Sequence, residues 1–128
     1  MLGRTNKMWW GAAIEAPDPL ALATFYSSLL GWPIVHHEPG TAVMKPPQDG
    51  VFIVFQQADD YPPPVWPTRP GQQRPMMHLD IEVDDLAAAT ANALELGATL
   101  ATEQPRDNVR VLLDPVGHPF CLCLDQDG

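Results

Sequence analysis

One short run, His78-Leu79-Asp80-Ile81-Glu82-Val83, alternates residues that ionise with residues that do not. Alternate side chains of a strand share a face, so the imidazole and two carboxylates would stand in one row. Such groups trade protons near neutral pH, which makes His78, Asp80 and Glu82 weak acid–base candidates, together with Glu15. Cys121 and Cys123 have the same spacing and also share a face. A disulfide between them would need an unusual backbone, and two cysteines make no framework, so they read as reduced, half-buried thiols. A row of carboxylates between apolar residues also describes an ordinary solvated sheet face, and the alternation alone does not choose. His36 and His37 are neighbours and would point to opposite faces of a strand. His118 follows a turn glycine and would shape the strand entry. The chain carries no Gly-rich phosphate loop, nucleophile elbow or Cys-x-x-Cys pair.

The elements that must position these residues occur twice. Ile14-Glu15-Ala16-Pro17-Asp18 matches Ile81-Glu82-Val83-Asp84-Asp85 at an offset of 67 (85 − 18). Leu30-Gly31 matches Leu96-Gly97 at an offset of 66 (96 − 30). Lys7–Ala16 predicts a strand. Asp18 stands where a helix N-cap belongs, with Pro19 at the first helical position. Leu20–Leu30 predicts a helix with Leu22, Phe25, Tyr26, Leu29 and Leu30 on one face, and Gly31 ends it. Short strands are expected over Pro33–His37, Thr41–Lys45 and Val51–Gln57. The second copy predicts a strand over Met76–Val83, an N-cap at Asp85, an Ala-rich helix over Leu86–Leu96, and Gly97 at its end. Strands over Ala98–Thr102, Val109–Leu113 and His118–Leu124 follow, with an Asp114-Pro115-Val116-Gly117 turn. Each copy is βαβββ. Between them, residues 58–75 hold six prolines, which neither a helix nor a central strand tolerates. Trp66 in that connector would pin it to the body or line a pocket rim.

At 128 residues the chain is sized for one domain, and a hydrophobic fraction of 45% is that of a folded protein. A unit of roughly 60 residues is too small for a sizeable core, so two copies would pair, and ligand sites tend to form where such units meet. A net charge of −9 argues against nucleic acid and anionic membranes, and fits a cationic ligand or plain solubility. No apolar run approaches a membrane span and no signal peptide is visible, so a cytoplasmic protein is expected.

Several stretches resemble the vicinal oxygen chelate superfamily, which groups glyoxalases, bleomycin-resistance proteins and extradiol dioxygenases. They are Phe25-Tyr26-x-x-Leu29-Leu30-Gly31-Trp32, the run from His78 to Asp85, Leu96-Gly97-Ala98, and Asp114-Pro-Val-Gly-His-Pro-Phe-Cys-Leu122. The last is most similar to the glyoxalase-like domain branch. The resemblance implies an α+β fold in which two βαβββ repeats form a curved mixed-sheet cup with helices on its convex face. Residues 1–128 would be one such domain, with repeats at about 8–57 and 76–125 and a connector at 58–75. His78, Asp80, Glu82, Cys121 and Cys123 would then face the inside of the cup.

Metal-dependent members of the superfamily draw one ligand from the first strand and one from the last strand of each half. Those positions fall on Gly11, Val54, His78 and Cys121, and glycine and valine donate nothing. Gln56 is a weak substitute on the same face as Val54. His78 and Cys121 remain weak metal candidates, and Asp80 or Glu82 would be needed to complete a zinc site. No cofactor is therefore expected. The expected function is metal-independent binding of an aromatic or cationic organic ligand by Trp9, Phe52, Gln56, His78, Asp80 and Cys121. The alternatives are a divalent-metal-dependent lyase, isomerase or dioxygenase, and a partner module with a filled cup. The resemblance also implies a homodimer.

Overall fold

A computed structural model describes Leu2 and residues 10–48 and 50–124. The chain forms two compact units, Met1–Tyr61 and Pro62–Gly128.

The first unit runs β1 (Trp10–Ala16), α1 (Pro19–Leu30), β2 (Ile34–Glu38), β3 (Thr41–Met44) and β4 (Val51–Gln57). Its sheet has the order β1-β4-β3-β2, with β1 parallel to β4 and the other pairs antiparallel. Asp18 caps α1 by accepting from the Ala21 N–H at 3.2 Å. Gly31 ends the helix in the left-handed region at φ 72°, where a side chain would be strained, and donates to the Ser27 carbonyl. Of the expected apolar stripe, Leu22, Phe25 and Tyr26 are buried, together with Ala42, Met44, Ile53 and Phe55, while Leu29 and Leu30 are half-buried. Tyr26 stacks on Phe55 with centroids 5.8 Å apart. Because Ile53 and Phe55 face this core, Phe52, Val54 and Gln56 face away from it.

The second unit repeats the pattern as β5 (Leu79–Val83), α2 (Leu86–Leu96), β6 (Thr99–Leu100), β7 (Val109–Leu113) and β8 (Pro119–Leu124), in the order β5-β8-β7-β6. Asp85 accepts from Ala88 N–H at 2.9 Å, and Gly97 closes α2 at φ 118°. Ala93, Val111, Leu112, Phe120 and Leu122 form the core. The fold is therefore α+β, with a βαβββ pattern present twice. Among the described residues, no helix is long and apolar enough to cross a membrane.

Two strands are each three residues shorter than expected, and other strand ends shift by one. Residues 7–9 of the predicted first strand lie outside the described residues. The strand predicted from Met76 begins at Leu79. Its partner β8 begins at Pro119, which has no N–H to offer, and Met76 and Met77 are left 84% and 79% exposed. The strand predicted over Ala98–Thr102 shrinks to Thr99–Leu100. The Gln104 amide replaces it, donating to the Ala101 and Val111 carbonyls and accepting from Val111 N–H, each at 2.9 Å.

The connector binds the second unit. Pro63 lies against Gly117, Val65 N–H donates to the Gln73 carbonyl at 2.6 Å, and Arg69 pairs with Glu103 at 3.7 Å. Trp66 is half-buried and precedes a cis peptide bond to Pro67.

Candidate functional site

Parallel pairing of β5 with β8 sets Asp80 opposite Cys121 and Glu82 opposite Cys123, while Leu79, Ile81, Phe120 and Leu122 form the alternate pairs. Phe120 and Leu122 are buried under the helix, which turns both thiols to the other face, half-buried. His78, just ahead of β5, reaches the same face with Nε2 3.3 Å from Asp80 Oδ1. One ligand atom each from His78, Asp80 and Cys121 lies within 4.8 Å of the others. Of the two carboxylates that could complete a zinc site, Asp80 is the one grouped with His78 and Cys121. Glu82 instead lines a shallow hollow at the start of α2 with Asp84, Asp85 and Ala88.

The electrostatics of this face hold protons on sulfur. Burial pushes the Cys121 thiol up to about 11, with help from the Asp80 charge, the neighbouring Cys123 and a hydrogen bond to Asp80. Cys123 is raised by burial and by the charges of Asp80 and Glu82.

A buried carboxylate closes the turn that leads into β8. Asp114 is only 3% exposed, and its Oδ1 accepts from Val116 and His118 N–H groups, both at 3.0 Å. His118 takes part in this contact through its backbone N–H. Composition marked the turn but missed Asp114 as its buried anchor; the signal available was an Asp two and four residues ahead of the amides it caps.

The corresponding face of the first unit has the same register and different chemistry. Ala13 pairs with Val54 as Asp80 pairs with Cys121, and the offset is 67 on both strands (80 − 13 and 121 − 54). Gly11 pairs with Phe52, Ala13 with Val54, and Glu15 with Gln56. A Cβ at Gly11 would fall 2.3, 2.4 and 2.6 Å from three atoms of the Phe52 ring. The ring occupies the place of a side chain at the position where the resemblance puts a metal ligand. Phe52 is half-buried and Gln56 exposed. Trp9, the remaining expected ligand contact, lies outside the described residues. His36 and His37 are both exposed on β2, and His36 Nε2 lies 3.6 Å from Glu38 Oε1. The first unit thus offers no metal ligand at either first-strand or last-strand position. The second offers a nitrogen, an oxygen and a sulfur, a donor set suited to zinc and similar ions.

Two βαβββ units in one chain, each packing a helix on one face of its sheet, define a glyoxalase-type scaffold. The chain belongs to the glyoxalase-like domain family, whose model matches residues 11–123. It thereby falls in the vicinal oxygen chelate superfamily. Solved structures share the fold. A glyoxalase/bleomycin resistance protein/dioxygenase family enzyme from Burkholderia phytofirmans PsJN matches with TM-score 0.68 and 19% identity, over 92% of this chain and 98% of that one. An antibiotic binding protein from Streptomyces sp. CB03234 matches with TM-score 0.62 and 16% identity, over 98% and 100%. Lactoylglutathione lyase from Agrobacterium tumefaciens matches with TM-score 0.59 and 16% identity, over 90% and 91%. No curated protein sequence matches significantly.

Proposed function

We propose that this protein binds a small organic ligand, planar aromatic or cationic, on the sheet faces turned away from its helices, and that binding needs no metal. The observation that carries this reading is the first-unit face. Gly11 and Val54 replace two ligands of the superfamily's two-half chelate, and an aromatic ring covers Gly11. Phe52 and Gln56 supply an apolar surface with one amide. Asp80 supplies exposed negative charge, in a chain of net charge −9. The antibiotic binding protein of the same fold supports small-molecule binding as a use of this scaffold.

The test is thermal-shift screening of chelator-stripped protein against planar and cationic aromatic compounds. A ligand at 100 times its Kd raises stability by about 2.7 kcal/mol, and Phe52→Ala should abolish the shift. A shift that survives Phe52→Ala, or no shift from any compound, would overturn the reading.

A divalent-metal-dependent lyase, isomerase or dioxygenase is the second reading. The grouping of His78, Asp80 and Cys121 favours it, since a bound ion would polarise a substrate oxygen as a Lewis acid. The empty ligand positions of the first unit weigh against it.

A further inference from the structure

We infer that the second unit by itself holds a thiophilic divalent cation of the zinc type, through His78 Nε2, Asp80 and Cys121 Sγ. The site draws on no ligand from the first unit, and Asp80 stands where the first unit has Ala13.

Geometry supports it first. Ligand atoms about 2.0–2.3 Å from a tetrahedral zinc stand about 3.3–3.8 Å from one another. The 3.3 Å between His78 and Asp80 already equals such an edge. The 4.8 Å limit on the whole group leaves about 1 Å to close, within reach of side-chain rotation. The backbone needs no movement, because paired strands fix Asp80 opposite Cys121.

Donor chemistry supports it next. A thiolate beside an imidazole selects zinc, cobalt and their like over magnesium or calcium, which take oxygen ligands. The side chains of His78 and Asp80 are 51% and 64% exposed, so an ion would be reached from solvent. Three protein ligands leave a fourth position for water or an incoming oxygen, the pattern of an open zinc site.

Cobalt(II) titration of the full-length, chelator-stripped protein tests the inference without reference to any activity. About one ion per chain should bind, with a thiolate-to-cobalt charge-transfer band and the strong visible bands of tetrahedral cobalt. Zinc should displace it and excess magnesium should not. Cys121→Ser should remove the charge-transfer band, and His78→Gln and Asp80→Asn should each weaken binding by at least about tenfold. Cys123→Ser and the double change His36→Gln, His37→Gln should leave the spectrum unchanged. Absence of the band, its loss with Cys123→Ser, or affinity indifferent to both His78→Gln and Asp80→Asn would overturn the site. The exposed His78 and Asp80 keep the test decisive if Cys121→Ser disturbs folding. Phe52→Ala should leave cobalt binding intact, so this inference and the ligand-binding proposal fail separately.

Discussion

Adding one methyl group at Gly11 tests the most unusual contact of the first unit. β1 is an edge strand, and an aromatic ring laid on an edge glycine covers backbone that no side chain protects. In Gly11→Ala the new Cβ would start 2.3 Å from Phe52 Cε2, well inside van der Waals contact, so the ring must leave. The backbone of Gly11 lies outside the left-handed region, so the cost is steric and local. A half-buried Phe that swings outward exposes on the order of 50 Å² of apolar surface, worth about 1 kcal/mol at about 25 cal/mol/Å². Resistance from its neighbours raises this toward about 2 kcal/mol. For a chain of this length each kcal/mol shifts Tm by about 4 °C, so thermal unfolding should fall by roughly 4–8 °C. In a Phe52→Ala background the same change should cost almost nothing, and the cycle should report a coupling of about 1–2 kcal/mol. A Gly11→Ala protein as stable as the parent, or an equal loss in both backgrounds, would refute the idea that the ring takes the place of a side chain.

Asp114→Ala removes two hydrogen bonds to the amides of Val116 and His118 at a buried position. It should cost about 2–3 kcal/mol in chemical denaturation, and Asp114→Asn, which keeps an acceptor, less than half of that. Asp80→Asn takes away a charge and a hydrogen bond that hold the proton on Cys121. A thiol titrating at about 11 is about 1% thiolate at pH 9, and alkylation of Cys121 by iodoacetamide should run severalfold faster in the variant, as mass spectrometry of that peptide would show. Both thiols are raised above the ordinary value of 9.0, so the folded state keeps protons that the unfolded chain releases. Their contribution to stability is whole below pH 9 and declines as pH climbs toward 11; unfolding midpoints that rise across that interval in the parent, relative to Cys121→Ser, would contradict this. Asp18→Ala and Asp85→Ala each delete an N-cap bond and should each lower stability by about 1 kcal/mol, measured by urea unfolding.

Helix ends were the most legible features, because their signals are local. Asp18, Pro19 and Gly31, then Asp85 and Gly97, are read from residue type, and each does what its chemistry allows. Strand ends depend on partners far along the chain and were less legible. Nothing in Met76-Met77-His78 says that Pro119 will start the partner strand. Nothing in Gln104 announces that its amide will take over the Val111 backbone groups. Both strands are shorter than their alternation predicts, because alternation continues past the point where hydrogen-bonding partners end.

The site was legible in its members but not in its grouping, and the reason is register. Sequence offers Asp80 and Glu82 on equal terms, two residues apart on one face. Pairing Leu79 with Phe120 sets Asp80 against Cys121, and moving that pairing by two residues would have set Glu82 there instead. The turn before β8, where buried Asp114 holds the amides of Val116 and His118, sets β8 against β7 with Leu113 opposite Pro119. Holding β8 in place against β7 is the route by which that carboxylate could reach the pairing of β8 with β5, and so the thiol. Asp114→Ala should accordingly disturb Cys121 as well as stability. If the variant stays folded while the alkylation rate of Cys121 is unchanged, the turn does not set the register, and the choice of Asp80 belongs to core packing at Phe120 and Leu122 instead.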